Sequence, residues 1–503
     1  MAWRPVAAVA PLVLASCGLA LLLAPTRPPG AALALLAGSF AVWGVVVIWL
    51  ERRAAGGEWS VPVARAVLLG ALLLRLPLIF AEPSLSDDVW RYLWDGRVAA
   101  SGANPYALAP EADELAELRD GRADRQSDPQ GDGYWAELWQ RLDHRGVPTV
   151  YPPVALGSFS IAAATPHPKL AWKGLLTAVE LAGCALLLAL ARRRGSSPAR
   201  TAWYAWNPLV ALEVAGMGHV DGLAVAPMVA AVLWLTPRRE PEAGGEGAGA
   251  GGWSGRGLRP GLAAVMAAAG ALVKLAPLAA VGLWARASPK PWRYLAIALA
   301  VSVMGLAPVL LVTGGVPPGL TTYGVSWEFN GPLYEPLWRA LDATGADHAA
   351  ARAADAAKAA TGWHGAVNRA YPYLYPQLLA KLLLAAGAAW VVVSASLGRT
   401  WTGRGAPPGE DLAGATGRLF GGLLLCSATV YPWYLLWVLP WAALVRHPAW
   451  LLASVTAPVV YLAAAPGVPD GAAPALFPTL WLAAWGPPAA LALVTAVRRG
   501  RGR

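Results

Sequence analysis

Charge is scarce in this chain: Asp, Glu, Lys and Arg make up 14% of its 503 residues, against 56% hydrophobic. So few charges cannot coat a soluble surface, which excludes an ordinary soluble domain. Cysteine is nearly absent as well. Its three copies, Cys17, Cys184 and Cys426, all sit inside apolar runs, which excludes a disulfide framework and assigns them to packing. Acids are outnumbered, and the net charge is +10. The cations cluster between apolar runs, where they orient a membrane protein, so no nucleic-acid partner is expected.

What the chain does have is long apolar runs, such as "VAAVAPLVLASCGLALLLA" (6–24) and "AALALLAGSFAVWGVVVIWL" (31–50). About 20 such residues cross a bilayer. Backbone polar groups in lipid must be satisfied internally, so these runs are predicted to be helices. Arg4 precedes the first run as it would in a signal peptide, but its length and the span that follows mark it as a retained anchor.

Basic clusters such as "ERR" (51–53), "RRRGSSPAR" (192–200) and "RRGRGR" (498–503) mark the cytoplasmic side. With both termini inside, about fourteen helices satisfy them. The expectation is an all-α polytopic membrane protein with two long external loops. Two N-terminal helices occupy 1–61, a helix leading to the site 62–80, the first external loop 81–169, a transmembrane core 170–313, the second external loop 314–372, and C-terminal helices 373–503. "VALGSFSIAAA" (154–164) is too short to cross and is predicted to be re-entrant or interfacial. "LVKLAP" (272–277) and "TVYPWYLLW" (429–437) are broken by proline, as segments lining an internal cavity are. The glycine-rich stretch 241–258 reads as a flexible cytoplasmic linker.

Fourteen of the 30 acids fall in residues 81–150, beside seven arginines. The segment "SDDVWRYLWDGR" (86–97) opens that region just after an apolar run. Asp87 and Asp88 therefore sit at head-group depth, where a partly dehydrated carboxylate can act as a general base. The same "SDD" is also a good helix cap. Arg91 and Arg97, interleaved with Tyr92 and two tryptophans, suit either an interfacial belt or a phosphate-binding fork. "GMGHVD" (216–221) sets His219 and Asp221 where the chain re-enters the membrane. Ionisable residues there mark functional sites by default, and two ligands alone do not make a metal site. Lys274, inside an apolar span, needs a carboxylate or phosphate partner. Glu328, Asn330, Tyr431 and Trp433 stand at outer helix ends, the aromatics suiting a sugar face or the lipid interface.

Taken together, "SDDVWRYLWDGRVAASGANPYALAP", "YPPVALGSFS", "AWNPLVALEVAGMGHVDGLAV", "ALVKLAPL", "WEFNGPLYEPL" and "YPWYLLWVLP" resemble the GT-C glycosyltransferases, and among them bacterial polyprenol-phosphomannose-dependent mannosyltransferases. The resemblance runs from about residue 62 to 445. It implies a polyprenyl-phosphate sugar donor, mannose first among the hexoses, an external glycan or glycolipid acceptor, and inversion by an aspartate base. An aspartate four residues before a tyrosine selects Asp88, with Tyr92, over Asp87. The resemblance also implies that Lys274 and the arginines face the carrier phosphate, and that His219 and Asp221 line the cavity. A divalent metal cofactor is left open. The rival from another class is a transporter or flippase of a lipid-linked molecule, which also uses broken helices and buried charge.

Overall fold

The computed structural model describes residues 7–23, 29–54, 59–120, 133–237, 259–365, 367, 375–405, 409–464 and 473–501. The linker 241–258 and the acids Asp124, Asp128 and Asp132 lie outside them. Helices dominate throughout. Among the described residues the only β pairing is in isolated bridges.

The main helices are α1 (Ala10–Leu22), α2 (Pro29–Arg53), α3 (Val61–Ile79), α4 (Asp88–Ala100), α5 (Pro153–Ala163), α6 (Pro168–Arg193), α7 (Asp221–Leu235), α8 (Arg259–Val273), α9 (Pro291–Thr313), α10 (Tyr334–Ala343), α11 (Pro376–Ser396), α12 (Leu412–Leu425) and α13 (Ala473–Arg501). Six of them show how a helical chain accommodates many of its 44 prolines. In α1, α3, α5, α6, α9 and α11, proline occupies the first turn, where its missing N–H costs no hydrogen bond.

Among the described residues six helices, α2, α3, α6, α9, α11 and α13, are long and apolar enough to cross a membrane. A further apolar pair, Pro208–Gly216 and α7, is bent by 119° at its break, the geometry of a broken span or a re-entrant loop. The remaining segments of the expected fourteen are shorter. The stretch 432–445, for instance, is a 3-10 helix Pro432–Trp437 followed by a short helix Leu439–Val445. Short, bent pieces leave backbone groups to satisfy, which is tolerated only inside protein, and residues 432–444 are buried.

Two buried ion contacts hold the core where the site will form. Arg75 on α3 meets Glu180 on α6 through two hydrogen bonds of 2.6 and 2.9 Å, both side chains fully buried. Lys173, two turns earlier on α6, donates to the carbonyls of Leu78 and Ala81, capping the end of α3. The chain leaving α3 is thereby fixed before it reaches the acidic pair. Helix α5, which at 11 residues is too short to cross, packs along α4. Their contact is close at Gly96: a Cβ there would sit 2.4 Å from the Phe159 carbonyl carbon.

All three cysteines are free. Cys184 donates its thiol hydrogen to Glu180, and Cys17 is exposed on the apolar surface.

Candidate active site

A cavity of about 1120 Å³ opens between the end of α3, the start of α4, the break after α8, and the segments 320–339 and 427–437. Ser86, Asp87, Asp88, Lys274, Glu328 and Trp433 are among the residues on its wall.

The acidic pair is delivered by local turn chemistry. Asp87 occupies the N-cap position of α4 but makes no side-chain cap. The Ser86 hydroxyl does that work instead, accepting from the Asp88 amide at 3.3 Å. Both carboxylates stay on the cavity side. Tyr92, one turn along α4 and fully buried, donates its hydroxyl to Asp88 Oδ2 at 3.0 Å. Burial pushes the Asp87 carboxyl up to about 6, and the negative charges of Asp143 and Asp88 add to it.

Behind Ser86 lies a second tether. His219 Nε2 is 3.1 Å from the Ser86 hydroxyl, and His219 Nδ1 is 2.8 Å from Glu213 Oε2. Tyr461 donates to the other Glu213 oxygen at 2.7 Å. Glu213 sits in a π-helical turn, Leu212–Gly216, and the following Gly218 has a φ of +77°, so the chain can reverse and bring His219 back over it.

Lys274 projects from the break after α8. Its ammonium meets Asp221 Oδ2 at 3.2 Å and lies 4.9 Å from the centre of the Tyr434 ring. The Trp437 indole donates to the other Asp221 oxygen at 2.9 Å. A fully buried carboxylate with two donors accounts for an ammonium at this depth.

Each residue singled out in the sequence can now be placed. Asp87, Asp88, Arg91, Lys274, Glu328, Tyr431 and Trp433 line the cavity. Tyr92, His219 and Asp221 stand one contact behind it. Arg97 and Asn330 do not reach it. Arg97 lies 4.3 Å over the Trp135 ring, and Asn330, at a φ of 55°, receives Trp485 and donates to the Val430 carbonyl.

Two roles need correction. Arg91 is no open fork: it donates to Asp95 at 2.8 Å and to the carbonyls of His144 and Val147, pinning that loop. Nor do Tyr431 and Trp433 offer a bare platform to a sugar. Trp433 stacks on His219 at 3.7 Å and on Tyr431 at 4.4 Å, and Tyr431 stacks again on Phe329 at 4.7 Å. Each ring has an aromatic neighbour on both faces, so only edges and a hydroxyl remain for a ligand.

Outside the cavity, Glu82 anchors the loop. Burial raises its carboxyl, but Lys169 at 2.5 Å and Arg141 at 2.9 Å outweigh that and hold it below its ordinary value. Sequence reading missed Ser86, Asp143, Glu213, Tyr323, Tyr434 and Trp437. Glu213, an acid inside "VALEVAG", carried a usable signal. Among the described residues no three His, Cys, Asp or Glu side chains group as metal ligands would.

The sequence profile described as alpha-(1->6)-mannopyranosyltransferase, N-terminal domain, matches residues 6–288, more than half the chain. The chain belongs to this family. It is a membrane mannosyltransferase, as the resemblance to the GT-C enzymes implies. Mannosyl transfer calls for a sugar donor and a glycan acceptor. The matched region of the mannosyltransferase holds Asp87, Asp88, His219, Asp221 and Lys274, whereas Glu328, Tyr431 and α10 lie beyond it. No curated protein and no solved structure matches the chain.

Proposed function

We propose that this mannosyltransferase takes mannose from a polyprenyl-phosphate carrier and passes it, with inversion, to a glycan or glycolipid on the external face. The observation that carries the reading is that Asp88 and Lys274 face one cavity, each held by its own partner. A carboxylate and a cation are the two groups such a transfer needs.

Asp88 takes the proton of the acceptor hydroxyl. The oxygen attacks the anomeric carbon from the side opposite the phosphate, and the bond from that carbon to the phosphate oxygen breaks. The electron pair leaves with the polyprenyl phosphate. No acid is needed for so good a leaving group, and the Lys274 ammonium stabilises the charge that develops. Tyr92 occupies one carboxylate oxygen of Asp88, which fixes the direction of the other. One carboxylate suffices here, in contrast to the carboxylate pair that glycoside hydrolysis usually requires.

On this reading both termini are cytoplasmic and the acidic loop is external, an orientation supported by the basic clusters at 51–53, 192–200 and 498–503. The enzyme assignment displaces the transporter reading, and the broken helices belong to the catalytic cavity. The test is transfer of labelled mannose, using membranes that contain the protein, from polyprenyl-phosphate mannose and from a nucleotide-activated mannose. Transfer from the lipid donor supports the reading, and transfer from the nucleotide donor alone overturns it.

A further inference from the structure

We infer that the end of the cavity walled by α10 is a subsite for the acceptor glycan, binding sugar residues beyond the one whose hydroxyl is mannosylated. This rests on reading the cavity as the place of transfer.

Size is the first argument. Pockets of roughly 300–1,000 Å³ enclose a drug-sized ligand. At about 1120 Å³ this cavity exceeds what a single hexose and a phosphate fill. Glu335, Trp338 and Arg339 all stand on the cavity wall, on one face of α10 at helical spacing.

The chemistry of that face suits a neutral, hydroxyl-rich ligand. Glu335 Oε2 accepts from the Trp338 indole at 3.0 Å and from Arg339 Nε at 3.2 Å. The pair uses Nε, neither terminal guanidinium nitrogen has a hydrogen-bond partner among the described residues, and the Arg339 side chain is 43% exposed. The guanidinium also lies 4.6 Å from the centre of the Trp338 ring. A carboxylate acceptor, a fork of donors and an indole together match a sugar's alternating hydroxyls and C–H edges. They do not suit a phosphate. Glu335 is itself on the cavity wall and would repel an anion, whereas Asp221 lies behind Lys274 and leaves that ammonium facing the cavity.

The subsite is also rigid. Tyr334, fully buried, packs on Ala380 and Leu384 of α11. Gly331, just before α10, lies so close to the Ser427 carbonyl that a Cβ would come within 2.6 Å of it. Trp481 donates to the Gly331 carbonyl and Trp485 to Asn330. A platform fixed before binding loses little entropy when an extended glycan settles on it. This also gives buried Asn330 a structural purpose: it locks the arm that carries α10.

The experiment measures KM for synthetic mannosides of one, two and four residues with a fixed lipid donor, in wild type, Glu335→Gln and Arg339→Ala. The wild type favours the longer acceptors. Arg339→Ala reduces that preference by about tenfold, the scale of one lost hydrogen bond to a charged group, and Glu335→Gln reduces it less. Thermal melts check that each variant is folded, and Arg339→Lys, which keeps a cation beside Glu335 but removes the fork, replaces Arg339→Ala if that variant unfolds. Equal KM for all three acceptors in wild type overturns the subsite while leaving the donor reading standing. A higher KM for the lipid donor in Arg339→Ala, with acceptor preference retained, makes this end part of the donor site and overturns it too. Absence of transfer from the lipid donor in wild type overturns both the subsite and the reading it rests on.

Discussion

The Ser86 hydroxyl, whose oxygen accepts from the Asp88 amide, lies 3.1 Å from His219 Nε2. His219 is backed by Glu213, so the start of α4 is tied to the break between Pro208–Gly216 and α7. A Ser–His–Glu line of this kind resembles a hydrolase relay. Here, however, Asp87 and Asp88 adjoin the serine, and their charges oppose the oxyanion that acyl transfer would form. Under the proposed mechanism its work is to position Asp88. Ser86→Ala should therefore lower kcat by about 10- to 100-fold, the range expected for a misplacement near 1 Å, with donor KM close to wild type. Steady-state kinetics on the purified variant check this. A raised donor KM with kcat retained would assign Ser86 to donor binding.

Asp87 makes a prediction about pH. Its carboxyl titrates near 6 in the folded protein and lower when unfolded, so the folded state binds the proton more tightly. Its contribution to stability is present at acid pH and lost as pH rises through about 6. Asp87→Asn removes that loss. The variant should melt at a higher temperature than wild type at pH 7.5 in detergent, with the gap closing toward pH 4. A gap that is constant across this range would mean that titration of Asp87 is not its source.

Lys274→Ala leaves the buried Asp221 carboxylate without its cation. Breaking a buried pair in this way costs about 3–5 kcal/mol, so low yield is expected from this variant alone. Asp221→Asn combined with Lys274→Met should recover much of the folded protein, because neither residue is then charged. Under the proposed mechanism the double variant folds and still fails to use the lipid donor. Turnover near wild type in the double variant would reduce Lys274 to a structural partner of Asp221.

Gly96→Val tests how tightly α4 is held. The new Cβ meets the Phe159 backbone at 2.4 Å, which backbone movement alone can relieve. Overpacking of this kind costs about 1–3 kcal/mol. The melting temperature should fall, and because α4 carries Asp88, activity should fall further than the stability loss alone explains. A variant that is less stable but fully active would show that the α4–α5 contact does not set the site.

Much of the site was legible because charge is rare in this chain. Asp87, Asp88, His219, Asp221 and Lys274 stand out against apolar surroundings, and the structure brings them to one cavity or one contact behind it. By the same rule Arg75, Glu180, Lys173 and Glu213 were readable, each lying inside an apolar run. Arg75 and Glu180 satisfy each other, Lys173 caps backbone carbonyls, and Glu213 meets His219 and Tyr461, and pairing across the chain has no local signature. Aromatics are harder. Tyr431 and Trp433 look alike in sequence whether they face lipid, sugar or another ring, and here each lies between two rings. Arg91 and Arg97 were ambiguous for the same reason, since a guanidinium serves a carbonyl or an indole as well as a phosphate. The number of crossings was the least legible feature, because hydropathy cannot separate a full span from the short pieces at 432–445.

Asp88→Asn bears most directly on the central claim. The substitution keeps the shape of the side chain and removes its capacity to take a proton. Membranes containing wild type or Asp88→Asn in matched amounts are given polyprenyl-phosphate mannose with a labelled sugar, and product is counted. The account predicts transfer by wild type and a loss of at least about 100-fold in the variant, the scale of a missing general base. Turnover by Asp88→Asn within a few fold of wild type would contradict it.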